Sequence, residues 1–205
     1  MRSKGESSGS KGESSGSKGE SSESSSKSKG KSLQSKVKGW LGFHLKMDKI
    51  SLEFFQAFVA ALNDHLVEIN KGDVKKTNES LRVFGRKMAE SLLISFSEKM
   101  KEHAGEFKGL KDTLSLVYKV FTGSNMTNVW YDENRKIIVF VDADCPFCTD
   151  ITLSENLTGL KYCAFIGGLF EEVAKLQGFE EVICEEVSCK TWNDQACIYH
   201  LRLLK

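Results

Sequence analysis

KYCAFIGGLFEEVAKLQGFEEVICEEVSCKTWNDQACIYHLRLL, residues Lys161 to Leu204, decides the fold. It reads as one helix followed by two strands. From Cys163, the positions Ile166, Gly167, Phe170, Val173, Ala174 and Gln177 keep the three-to-four spacing of one helix face, and all but the last are apolar or small. Gly178 predicts the helix end, because a glycine accepts the left-handed turn that a side chain resists. Val182 to Ser188 and Cys197 to Leu203 are alternating, β-branched runs around the polar tip Thr191-Trp192-Asn193-Asp194, the pattern of a hairpin. Cys189 and Cys197 then face each other across the hairpin mouth, and Cys163 rides on the helix packed against it. Alternation places Cys184 on the opposite strand face from Cys189, in the core. Three soft ligands converging on one corner predict a metal site, because zinc favours a closed tetrahedral set of such donors. The ordinary alternative is three buried thiols behaving as small hydrophobes.

A Cys before a helix Gly, then Glu-x-x-Cys, then Cys eight residues on resembles the 4-vinyl reductase domain family. Its wider superfamily includes the TRAPP vesicle-tethering subunits, which share the layout without the metal. The resemblance covers about Leu52 to Leu204. It implies zinc as cofactor, with the family's ligands carried onto Cys163, Glu186, Cys189 and Cys197; Glu185 or His200 could replace Glu186. The Cys163-to-Cys189 spacing also resembles that of phenol-sensing members. The resemblance further implies a pocket for small apolar or aromatic ligands between helices and sheet. Phe58, Phe84, Trp130, Phe165 and Phe170 would line it, although an aromatic stripe at helical spacing is ordinarily core. One departure stands out: the family's helix carries Gly-x-x-x-Gly, and the position four after Gly167 is Glu171.

The 160 residues before this stretch hold a tail, helices and two further strands. Residues 1–32 hold the repeat SKGESSG, SKGESSG, SKGESSE, in which no position is apolar, so no coiled coil can form and disorder is expected. Residues 33–50 form a short basic lead-in to the domain at 51–205. Residues 24–47 contain six Lys and no acid, with Leu33, Val37, Trp40, Leu41 and Phe43 on one helical side. That segment either docks on the domain or makes weak contact with an anionic membrane surface. Helices are predicted from Ser51 to Asn70, Val74 to His103 and Leu110 to Phe121. Gly85, inside the second, predicts a close helix–helix contact, and the superfamily has a Gly at this point. The period then changes to two for strands at Asn128 to Tyr131 and Lys136 to Asp142, joined by the Asp132–Arg135 turn. Helices first and then β-β-α-β-β gives an α+β fold, a helical layer on a four-stranded antiparallel sheet.

Cys145-Pro146-Phe147-Cys148 is the rival cysteine motif. It is a plain tight turn, an auxiliary or alternative metal site with Cys189 and Cys197, or a redox pair; no parallel βαβ context supports the last. No phosphate-cradling Gly loop, Gly-x-Ser-x-Gly elbow or His-Glu-x-x-His is present, so no enzyme is expected. A net charge of +1 implies no nucleic-acid partner. No secretory segment or membrane span is legible, which predicts a cytoplasmic protein and makes the sequons at Asn78, Asn125 and Asn156 chance matches. Two functions follow: a ligand-binding or sensing module with a structural zinc, or a TRAPP-like scaffold or tethering subunit. Apolar residues on more than half of the first helix predict a homodimer through the helical layer. Some tethering subunits carry an acylated Cys after the second helix; residues 97–110 here hold none.

Overall fold

The computed structural model describes residues 52–93, 105–148 and 151–204. The expectations for residues 1–50 fall outside them. Four helices and four strands follow in order: α1 (Leu52–Ile69), α2 (Val74–Leu93), α3 (Leu110–Thr122), β1 (Asn128–Asp132), β2 (Ile137–Asp142), α4 (Ala164–Leu176), β3 (Val182–Ser188) and β4 (Cys197–Leu203). The described part of the second helix ends at Leu93; its predicted continuation to His103 lies outside the described residues. The sheet is antiparallel with order β1-β2-β4-β3, so β2 and β4 are its central pair. This is the expected α+β layout.

α4 is the centre of the molecule. Its stretch from Ala164 to Phe170 is buried without interruption, because it packs on α2 on one side and on the sheet on the other. A helix apolar all round can only be stable in such a place. Glycines set both approaches. A Cβ on Gly167 would stand 2.8 Å from the Cys184 carbonyl oxygen of β3. A Cβ on Gly168 would stand 2.0 Å from the Arg82 carbonyl oxygen of α2, and one on Gly85 would stand 1.9 Å from the Phe165 carbonyl oxygen. The close contact predicted from Gly85 is therefore with α4, and Gly168 is its counterpart. At the end of α4, Gly178 takes φ +91° while Phe179 N–H reaches back to Ala174 O at 3.1 Å, closing the helix.

Glu171 does not hold the helices apart. It is 2% exposed, and its carboxylate accepts from Arg82 and, at 2.7 Å, from Arg86, both on α2. It also accepts the Cys184 N–H at 2.9 Å. One buried side chain thus ties α2, α4 and β3 together. Carboxylates of Glu79 and Glu171 raise the Arg86 guanidinium against the opposing effect of its partial burial.

The Cys184 placement needs correcting. Along β3, Val182, Cys184 and Glu186 all point into the core. Strict alternation would send Ser188 inward and Cys189 outward. A bulge between Glu186 and Ser188 shifts the register, pairing Ser188 with Ile198, so Cys189 turns inward too. Cys184 and Cys189 therefore share a face.

Candidate metal centre

Register assembles the site. β2 and β4 pair Asp142 with Cys197, so the chain leaving β2 turns over the hairpin mouth. Asp142 shapes that exit: one oxygen accepts the Asp144 N–H at 3.1 Å and the other the Tyr118 hydroxyl. The next residues form the Cys145–Cys148 turn, whose Pro146 carbonyl accepts from Gln56 of α1 at 2.5 Å. Phe147 anchors it edge-on against Phe55 and Phe165, at centroid distances of 5.2 and 5.1 Å. From the other side, Lys190 at the hairpin tip donates to the Ala143 carbonyl at 2.7 Å.

Five thiols meet there. Cys163 Sγ lies 3.0 Å from Cys148 Sγ and 3.6 Å from Cys145 Sγ. Cys148 Sγ is also 3.6 Å from both Cys189 and Cys197, which are 4.0 Å apart. All are buried and none is in a disulfide. Cys145, Cys148, Cys163 and Cys197 have their sulfurs within 4.8 Å of one another; a second such group joins Glu186, Cys189 and Cys197. The edge of a tetrahedron with metal–sulfur arms of about 2.3 Å is about 3.8 Å, so this spacing suits a thiophilic ion. The cluster can bind a metal.

Of the carried-over ligands, Cys189, Cys197 and Glu186 fall in one group. Cys163 falls in the other, beside the Cys-x-x-Cys pair. Cys163 meets Glu186 through its backbone, donating its N–H to Glu186 Oε2 at 3.1 Å. Glu186 Oε1 is buried and has no hydrogen-bond partner. Glu185, the proposed substitute, instead accepts from Arg202 at the surface, and His200 pairs with it across β3 and β4. Cys184 belongs to neither group.

Sequence reasoning missed the groups that hold Cys189. Asp194 accepts both the Cys189 N–H at 2.9 Å and the Ser188 hydroxyl at 3.0 Å, and Thr191 Oγ1 lies 3.0 Å from Cys189 Sγ. An Asp five residues after a Cys in a polar tip was the available signal. The neighbouring thiols act on acidity. Hydrogen bonds from Cys148 and Cys163 draw Cys189 down to about 7, whereas burial pushes Cys163 and Glu186 up.

The five aromatic candidates stand in different surroundings. Phe58 and Phe84 lie 6.0 Å apart, and Phe55 links Phe58 to Phe165 at 6.5 and 6.4 Å. Phe170 is core, packed on Phe140 at 4.7 Å and on Tyr199 at 6.1 Å, and Trp130 stands on the edge strand β1, partly exposed. A cavity of about 520 Å³ opens instead between α2 and β3, bordered by Asn78, Glu79, Arg82, Lys161, Ala164 and Glu186. None of the five aromatics borders it.

No family model and no curated protein sequence matches the chain. Solved structures do. A trafficking protein particle complex subunit 3 from Naegleria fowleri, covalently bound to palmitic acid, superposes with a TM-score of 0.62. It is 22% identical and covers 73% of this chain and 95% of its own. The chain has a TRAPP-like fold. Among the described residues, no helix of this TRAPP-like chain is long and apolar enough to cross a membrane.

Proposed function

We propose that the chain is a non-catalytic scaffold subunit that acts through protein–protein contacts in a multi-subunit, TRAPP-like assembly, with zinc bracing its hairpin. The observation that carries this reading is the apolar outer side of the helical layer. Phe54, Phe58 and Ile69, which helical spacing puts on one side of α1, are 64%, 44% and 56% exposed. Large apolar side chains grouped on one side of a closed core mark an association surface. Fold likeness alone would be analogy; this face gives it a physical reason. We include a second copy of the chain among the partners, through the same helices.

Zinc is the ion proposed because thiolate-rich, buried sets select it, and because closed sites of this kind are structural. Small-molecule sensing has less behind it, since none of the five aromatic candidates borders the cavity described above. Nor is the covalent palmitate of the Naegleria protein carried over: all six cysteines here are buried, five of them in the cluster.

Sedimentation of the full chain at tens of micromolar tests the scaffold reading. A dimer or larger species is expected. Phe54→Asp with Phe58→Asp should return it to monomer without lowering Tm. A monomeric wild type whose mass is insensitive to concentration overturns self-association by this face.

A further inference from the structure

Six buried donors are too many for one tetrahedral ion. Whichever four are chosen, two remain. A Cys145, Cys148, Cys163, Cys197 site strands Cys189 and Glu186, and a Cys163, Glu186, Cys189, Cys197 site strands Cys145 and Cys148. Every one of the six is at most 3% exposed. Glu186 Oε1 is a buried polar oxygen with no hydrogen-bond partner, and such an atom is costly. The donors, moreover, do not scatter. They form two groups, each within 4.8 Å internally, that share Cys197. A second sulfur approaches both thiols of the other group: Cys148 belongs to the first, and it stands 3.6 Å from Cys189 and from Cys197 of the second.

We propose that the centre holds two zinc ions bridged by the thiolates of Cys148 and Cys197. This rests on the metal-braced reading above and extends it. One ion takes Cys145 and Cys163 as terminal ligands, and the other takes Cys189 and Glu186. Both share the two bridges. Six donors with two counted twice fill eight positions, which is two complete tetrahedra, the coordination zinc prefers. A thiolate sulfur retains enough lone pairs to bind two ions, so each bridge keeps one covalent bond to its Cβ and gains two to metal. Each bound thiol gives its proton to solvent, and no oxidant or reductant enters. Five thiolates and one carboxylate carry −6, and two zinc ions carry +4. The residual −2 equals that of a single zinc on four thiolates, so the second ion adds no buried charge. Glu186 Oε1, the oxygen with no partner, is the one available to the second ion, while Oε2 stays with the Cys163 N–H.

The test is metal counting on the full chain, produced with added zinc and purified under reducing conditions. Elemental analysis and native mass spectrometry should both give two zinc ions per chain, and X-ray absorption should show zinc–zinc scattering. One zinc per chain overturns the bridged centre and leaves the metal-braced reading standing; no zinc overturns both. Two single variants decide independently. Cys145→Ser and Cys189→Ser should each lower the count, because each removes a terminal ligand of a different ion. In either single-ion site, one of the two substitutions would leave the wild-type count unchanged, and that result overturns the proposal. Should either variant fail to fold, the wild-type count and the zinc–zinc scattering still decide.

Discussion

At Gly85 and Gly168 a single hydrogen atom stands where a methyl group would enter a neighbouring backbone. The obstructing atoms are the Phe165 and Arg82 carbonyls, and these belong to helices that cannot rotate away as a flexible side chain could. Gly85→Ala is expected to lower stability by at least about 3 kcal/mol in urea titration, the upper range for overpacking. Gly109→Ala is the control. Its Cβ would meet nothing within 4 Å and its φ is −74°, so a change within about 0.5 kcal/mol is expected. Glu171 makes the complementary case, in which charge and not volume is at stake. Glu171→Ala leaves Arg82 and Arg86 with Glu79 as their one remaining carboxylate and takes away the side-chain acceptor of the Cys184 N–H. Loss of one partner from a buried ion pair costs about 3–5 kcal/mol. The guanidinium side chains keep 21% and 24% exposure, which puts the expectation at the lower end. Glu171→Gln retains a neutral acceptor and should cost less; equal losses would mean the charge is idle. Glu171 also shows what a sequence hides. In the string it interrupts a glycine pattern, and only the two arginines of another helix give it a purpose.

Hairpin and helix were legible as elements because their periods differ and one face of each is buried. Alternation gave β3 and β4 their spans, and the Gly178 stop closed α4 within a residue or two. What alternation cannot carry is a bulge. The extra residue between Glu186 and Ser188 turned Cys189 onto the face of Cys184, and no local pattern announces it. A Cys145–Cys148 site shared with the hairpin cysteines was legible only as an alternative, and its meeting with Cys163 was out of reach, because it depends on the non-local pairing of Asp142 with Cys197. These elements should respond differently to metal removal. Besides the thiols, the hairpin tip and the Cys145–Cys148 turn are tied to the molecule by a few contacts only, those of Asp194, Lys190, Trp192, Gln56 and Phe147. α2 and α4 are held by glycine contacts and the Glu171 clamp, which need no ion. Treating the full chain with a strong chelator under reducing conditions should therefore abolish hydrogen-exchange protection at Trp192 and Cys148 first. Amides in the middle of α4 should stay protected until global unfolding. Simultaneous loss across all elements would show that the metal holds the whole domain, as its binding energy of roughly 10 kcal/mol would permit.

For the whole molecule, the α+β class could be read because helices precede a β-β-α-β-β run. A partner could not be read, since an apolar stripe looks the same whether it meets the core or another chain. Phe54 and Phe58 became informative only once their exposure on the folded helix was seen. The N-terminal residues can still be argued from chemistry. After Met1, residues 1–32 contain no apolar side chain, so the fold has nothing of theirs to bury. Deleting them is expected to shift Tm by no more than about 1 °C and to leave metal content unchanged. Deletion through Met47 is a different experiment, because it also takes Leu33, Val37, Trp40, Leu41 and Phe43. Burial of one such side chain is worth about 1.5–3 kcal/mol, so removing even two that dock should lower Tm by several degrees. An unchanged Tm with lost binding to anionic vesicles would assign the six lysines of residues 24–47 to a membrane surface instead, and that binding should then weaken steeply with salt.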